Sequence, residues 1–284
     1  MSSNDKRRRA RIQGSWAPPQ PRRSAAAGGQ TKTEDASEVK HQSRTSFGQS
    51  IPEQRFQYVD QGQTKREQPP DIWIEHENED YILSDEPSGI SRIRYYPKFF
   101  DEQKLDNMYS TLKEKLPWEQ RRDVKRNGES YLQPRLTAWF GDLPYSYSGV
   151  TLEAYSNWNP LVAEIKKKIE DKTKLHFNSV LGNLYRNEHD GVEWHADDEP
   201  SLGKNPTIAS VTFGERRTFE MRKNPPPEEK GDYTYQQHVK IPLLPGSLLI
   251  MEGATQVDWQ HRIPKEYHSK GPRINLTYRI IYPQ

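Results

Sequence analysis

The chain of 284 residues contains no cysteine. That excludes a disulfide framework, a thiolate nucleophile and a thiolate metal site, and it fits a reducing compartment. Nowhere do ~18 apolar residues run together, and the start lacks an apolar leader, so neither a membrane span nor a secretory signal is expected. The reading is a soluble, intracellular protein with no membrane partner. Large apolar residues are also scarce before residue 70, where Ser, Gln, Pro, Gly and charge dominate. Such a segment cannot bury enough surface to offset its chain entropy. Residues 1–70 therefore read as a disordered basic tail, and 71–284 as one domain.

Charge divides along the same line. The tail carries 13 Lys+Arg against 7 Asp+Glu, and the remainder 29 against 33. The run Lys6-Arg7-Arg8-Arg9-Ala10-Arg11 suits a nuclear-import signal, a nucleic-acid arm or a merely solvated tail. Trp16 in that arm is a natural short anchor for a protein partner. The negative balance of the domain argues against strong general affinity for nucleic acid.

Periodicity predicts two helices. One follows Asp101 as N-cap, with Leu105, Met108, Tyr109, Leu112 and Leu116 at helical spacing before Pro117. The other begins at Asn159-Pro160 and carries Leu161, Ile165 and Ile169 on its apolar face, with Lys166, Lys167 and Lys168 solvated. From about 177 the pattern is almost wholly β. Strands are expected over 179–186, 207–213, 217–222, 236–242, 247–251, 258–263 and 274–282. The class is mainly β with flanking helices, as a sandwich or jelly roll (a double-stranded β-helix) over about 177–284.

Chemistry concentrates in three places. His195 and Asp197 alternate with Ala196, so in an extended segment both point one way and can grip one ion. His261 shares a face with Trp259 and Ile263 and is the leading third ligand. A hydrogen-bonded core histidine is its bland alternative, and His189 and His268 are rival ligands. Two histidines and a carboxylate make a facial triad for Fe(II) with open positions, although zinc hydrolases use the same donors. Arg273, Asn275, Thr277 and Arg279 then alternate with Ile274, Leu276, Tyr278 and Ile280. That strand is either half-buried with its polar face in water, or the lining of a jelly-roll interior that must hold an anion such as a dicarboxylate. The two arginines are six residues apart, ~20 Å along a strand, so both must lean inward to meet one small diacid. Leu181, Asn183 and Tyr185 offer a second such face.

These residues resemble the AlkB family of Fe(II)/2-oxoglutarate-dependent nucleic-acid dealkylases. The matching pieces are Asn183-Leu-Tyr185, His195-Ala-Asp197, Ser210-Val-Thr-Phe-Gly214 with Arg217-x-Phe219, Gly246-Ser-Leu-Leu-Ile-Met251, Trp259-Gln-His261 and Arg273-Ile-Asn-Leu-Thr-Tyr-Arg279. Gln133-Pro-Arg-Leu-Thr-Ala-Trp139, Asp197-Asp-Glu-Pro-Ser-Leu-Gly203 and Met251-Glu-Gly-Ala-Thr-Gln256 are most similar to its homologue-three branch, which prefers single strands. The resemblance spans all but roughly residues 20–80. It implies iron held by His195, Asp197 and His261, with 2-oxoglutarate and O₂ as co-substrates. Arg273 and Tyr185 would meet the distal carboxylate, with Asn275 in the same row and Arg279 and Asn183 near the metal-bound end. It further implies demethylation of 1-methyladenine and 3-methylcytosine in single-stranded DNA and RNA, yielding formaldehyde, succinate and CO₂. A monomer of nucleus and cytoplasm is implied, with a helicase-complex partner on the tail.

Residues 117–150 read as a nucleotide-recognition hairpin and lid. Arg121, Arg122, Lys125 and Arg126 precede a turn at Asn127-Gly128, and Tyr131, Trp139, Tyr145 and Tyr147 follow. Cations track phosphate and rings stack on bases, although a surface hairpin over core aromatics is the plainer reading, and for Trp139 the preferred one. By the resemblance Arg135, Tyr147 and Asp198 would touch substrate; a carboxylate there favours a cationic lesion. A protein hydroxylase on the same fold, or a jelly roll that binds nucleic acid without catalysis, are the alternatives.

Overall fold

The computed structural model describes residues 66–124, 128–147 and 150–283, with only the backbone at 123, 124, 147 and 150. The expected tail therefore falls, but for residues 66–70, outside the described residues. In chain order the elements are β1 (Ile72–Trp73), β2 (Asn78–Glu86), β3 (Gly89–Tyr96), α1 (Glu102–Lys115), β4 (Arg122–Val124), β5 (Ser130–Leu132), β6 (Leu136–Gly141), β7 (Tyr145–Tyr147), β8 (Val150–Leu152) and α2 (Pro160–Thr173). Then come β9 (Ser179–Tyr185), β10 (Val192–His195), β11 (Ile208–Gly214), β12 (Arg217–Lys223), β13 (His238–Leu243), β14 (Leu248–Gly253), α3 (Thr255–Asp258), β15 (Trp259–Ile263) and β16 (Arg273–Arg279).

Two sheets carry the domain. The larger runs β2-β3-β14-β11-β16-β9-β6 and the smaller β1-β13-β12-β15-β10, while β4-β5 and β7-β8 are separate two-stranded hairpins. The jelly roll is as expected, with a flank the sequence reading did not contain. β2 and β3 extend the large sheet beyond β14. Their pattern is masked by charge: β2 reads NEDYILSDE and keeps most residues partly exposed at the sheet edge.

Both helices lie where their caps place them. The Asp101 carboxylate accepts the Gln103 N–H at 3.1 Å, and the Asn159 amide oxygen accepts the Leu161 N–H at 3.0 Å. Such caps satisfy N–H groups that the first turn leaves unpaired. The buried face of α2 is Val162, Ile165 and Ile169 rather than one headed by Leu161, which is only partly buried. The two helices cover one face of the large sheet, where Val180, Leu184, Val211, Phe213, Leu248, Ile250, Ile274 and Leu276 form the main core. The opposite face looks toward the small sheet. There Ile93, Tyr95, Leu249 and Met251 meet Phe219, Met221, Ile241, Trp259 and Ile263.

Strands β9 and β16 are buried along their whole length, apolar side under the helices and polar side between the sheets. That arrangement decides between the two readings of Arg273–Arg279. Its polar row faces an interior cavity.

Candidate active site

His195 on β10 and His261 on β15 are register partners across an antiparallel pair, with ring centroids 4.2 Å apart. Such an approach needs β10 to begin tight against β15. At Gly191 a Cβ would fall 2.7 Å from the Ile263 carbonyl oxygen, so only glycine fits. Asp197 follows two residues after His195, and one donor atom from each of the three side chains lies within 4.8 Å of the others. No other group of three or more His, Asp or Glu side chains among the described residues meets that standard. His189 and His268, the rival candidates, are exposed and stand outside it.

Hydrogen bonds prepare each donor. His195 Nδ1 lies 2.8 Å from the Glu193 carbonyl oxygen. A carbonyl only accepts, so Nδ1 carries the proton and Nε2 keeps its lone pair. Asp197 Oδ2 accepts from Arg279 Nε at 3.1 Å and Nη2 at 2.8 Å, while Oδ1 lies toward His195 Nε2 at 4.0 Å. The Asp197 N–H donates to Gln256 Oε1 at 3.0 Å, which holds the main chain of the carboxylate donor.

Electrostatics agree with that division. Burial pushes Asp197 up, but Arg279 and the two histidines outweigh it and bring the carboxyl down to about 2. Burial lowers His261 to about 3, with His195 adding to the effect, and burial lowers His195 likewise. At neutral pH the cluster is one carboxylate and two neutral imidazoles, each with an available lone pair. This donor set suits a divalent first-row metal.

The triad opens on a cavity of ≈ 540 Å³ whose far wall is the polar row of β16 with Asn183 and Tyr185 of β9. Arg273 is 1% exposed; its Nη2 donates to Thr212 Oγ1 and Asn275 Oδ1, while Nε and Nη1 have no partner. Burial, with Arg217 adding to it, brings the Arg273 guanidinium down to about 10. Asn275 is spoken for on both sides, accepting from Ser210 Oγ and donating to Thr277 Oγ1. Arg279 also keeps one buried, unpartnered nitrogen, Nη1.

Residues 92–279 match the 2OG-Fe(II) oxygenase superfamily. Over 279 residues, covering 98% of this chain and 97% of the relative, the sequence is 49% identical to "Alpha-ketoglutarate-dependent dioxygenase alkB homolog 3" of Homo sapiens. The chain belongs to the AlkB family of 2OG-Fe(II) oxygenases. The homolog of Rattus norvegicus is 50% identical over 98% of this chain and 94% of its own length. More distant is "DNA oxidative demethylase ALKBH2" of Arabidopsis thaliana, 33% identical over 67% of each chain.

As an AlkB-family oxygenase the protein uses Fe(II), 2-oxoglutarate and O₂. The residues fit that requirement. His195, Asp197 and His261 would hold the iron. The two orphaned donors of Arg273 are what a distal carboxylate would complete, and Nη1 of Arg279 is a third donor for the other end. A buried guanidinium without a carboxylate costs several kcal/mol, roughly, and a diacid supplies the missing charge.

The substrate candidates divide. Arg135 is buried in the cavity wall with Nε donating to Asn183 Oδ1 at 3.0 Å; Tyr131 and Asp198 line the cavity and are exposed. Arg121 instead donates to Thr137 Oγ1 and pairs with Glu119 at 2.7 Å. Arg122 is exposed on the β4–β5 hairpin, and neither of these two lines the cavity. Lys125 and Arg126 lie outside the described residues, as does the side chain of Tyr147. Trp139 is core, stacked on Tyr145 at 5.1 Å.

Two residues of the site, Glu199 and Gln256, escaped the sequence reading, and a third, Tyr145, was read only as one of the hairpin's rings. Tyr145 is buried in the cavity wall, where burial raises its phenol and a hydrogen bond joins it to Glu199. Burial and the neighbouring Asp197 charge raise the Glu199 carboxyl. Glu199 shares the parity of His195 and Asp197, a signal that was available. Gln256 sits on the four-residue α3, too short for any pattern to mark it.

Proposed function

We propose that this oxygenase removes methyl groups from 1-methyladenine and 3-methylcytosine in single-stranded DNA and RNA, releasing formaldehyde, succinate and CO₂. The observation that carries the reading is the cavity rim. Asp198, directly after the carboxylate donor Asp197, and Tyr131 stand exposed at the cavity's edge, with Glu199 and Tyr145 behind them in its wall. Carboxylates at a ring-lined opening favour a flat cation, and both lesions are cationic at neutral pH. The names of the relatives, dioxygenase and DNA oxidative demethylase, point the same way.

The bound iron, with 2-oxoglutarate and O₂, supplies the oxidant that hydroxylates the methyl carbon, and the protein supplies placement. Arg273 fixes the distal carboxylate and so the direction in which the co-substrate lies. Arg279 keeps Asp197 ionised and turns Oδ1 toward the histidines. Arg135 braces Asn183 at the co-substrate wall. A base must leave its stack to reach this depth, which costs least in a single strand. The hydroxymethyl product then sheds formaldehyde as the proton of its hydroxyl leaves and the carbon–nitrogen bond breaks.

The reading includes a monomer of nucleus and cytoplasm whose basic tail, 1–70, recruits a helicase complex. It is tested by formaldehyde release from a single strand bearing 3-methylcytosine, with and without Fe(II) and 2-oxoglutarate, in wild type and Asp197→Ala. Release that requires both and vanishes in the variant supports it. Succinate without formaldehyde moves the search to a protein substrate; no turnover with iron loaded favours a binding module.

A further inference from the structure

The small sheet has an outer face that the active site does not use. On β12, Phe219 and Met221 point inward and Arg222 outward; on β15, His261 points inward and Arg262 outward. On β10, Trp194 alternates with His195 and carries its ring to the same outer face, beside Arg222 and Arg262. Trp194 thus sits between the sheet's exterior and the cavity, whose rim it also lines. The Arg222 guanidinium is stacked between two rings, 4.4 Å from the centroid of Trp194 and 3.4 Å from that of Tyr233.

The charge bookkeeping on this face is uneven. Arg262 pairs with Glu220 at 2.6 Å, Lys240 with Asp71 at 2.6 Å, and Lys223 with Glu86. Arg222 differs: Nε and Nη2 both go to Gln260 Oε1, at 3.0 and 2.6 Å, a neutral acceptor. No carboxylate among the described residues lies within ion-pair distance of it. Arg262, also 4.4 Å from the Trp194 ring, adds a like charge nearby. The two ring faces hold the guanidinium by cation–π attraction without neutralising its charge, which stays available to an anion. A guanidinium fixed by two rings and a neutral amide oxygen, with no carboxylate beside it, has the form of an anion receptor.

We infer that Arg222, clamped between Trp194 and Tyr233, anchors a phosphate of the single strand whose base enters the cavity. The inference rests on the nucleic-acid reading above and extends its footprint from the cavity rim to the outer face of the small sheet. The occupant follows from continuity. Trp194 is adjacent in sequence to His195 and lines the cavity mouth, so an anion on Arg222 belongs to the same ligand as a group inside. A polyanion with one base flipped inward meets both conditions.

The test uses the full chain loaded with Fe(II) and 2-oxoglutarate without O₂, and a fluorescein-labelled single strand bearing one 3-methylcytosine. Anisotropy is followed across a salt series for wild type, Arg222→Gln and Glu220→Gln, with thermal melts of each. Losing one phosphate contact should lower the slope of log affinity against log salt by about 0.7 to 1 in Arg222→Gln. Affinity at low salt should fall about tenfold. Glu220→Gln, which frees the charge of Arg262 beside the anchor, should steepen the slope. Wild-type slopes in both variants would overturn the inference and leave the stack as a brace for β10. Failure of the wild type to bind the strand at all is a separate result, and it would remove the nucleic-acid reading itself.

Discussion

The two ends of β16 carry the same residue on the same face in opposite electrostatic states. Arg279 has an internal counterion: it donates twice to Asp197, and that charge raises its guanidinium further although burial opposes it. Arg273 has only hydroxyl and amide oxygens beside it, and burial lowers it to about 10. One arginine belongs to the candidate metal site and completes its charge. The other is left incomplete, and what completes it must come from outside. A single strand can thus hold a permanent fixture and a receptor, told apart by whether a carboxylate of the chain reaches the guanidinium.

Removing the internal counterion should break the comparison most severely. Asp197→Ala leaves Arg279 buried and uncompensated, which should cost about 3–5 kcal/mol in denaturant unfolding and abolish turnover. Arg273→Gln should do the reverse at the other end. It deletes an uncompensated charge, so metal-free stability should hold or rise, while 2-oxoglutarate affinity falls ~100-fold. Melts with and without co-substrate check both statements, since a ligand stabilises only what it binds. A wild-type co-substrate shift in Arg273→Gln would show that the receptor lies elsewhere.

Acid probes the metal end gradually, one proton at a time. His261 stays neutral to about 3 in the folded, metal-free chain, against 6.5 ordinarily, so below 6.5 the unfolded chain binds its proton first. Its contribution is complete above 6.5 and should drain as pH falls, by about 1.4 kcal/mol per unit down to about 3. His261→Gln should flatten that slope in denaturant titrations done in chelator. The smallest effect is expected from Gln256→Leu. It removes the acceptor for the Asp197 N–H and should lower Fe(II) affinity ~10-fold with about 1 kcal/mol of stability.

Legibility followed chain locality. Arg273-x-Asn275-x-Thr277-x-Arg279 declared its face because a strand has period two, and His195-x-Asp197 did so for the same reason. The helix starts were written in their caps. The partnership of His195 with His261 required a sheet register that no local pattern contains. The fate of Arg279 was likewise invisible, because its carboxylate lies 82 positions away in the chain. Arg121 looked like a surface cation until Glu119 and Thr137 were seen beside it. β2 was missed because edge strands keep charged residues, which blurs alternation, and Arg92 and Arg94 blur the pattern of β3 in the same way.

The absence of cysteine acquires a second meaning at the β10–β15 pair. β10 is the edge strand of the small sheet. Its partner histidine lies 66 positions along the chain, from residue 195 to residue 261. An ion held by both would close a loop of that span, the topological office a disulfide performs in secreted proteins. Iron held there would also be a removable crosslink at the border of a sheet. A chelator would act on the chain much as a reductant acts on a cystine, freeing an edge strand along with a reaction.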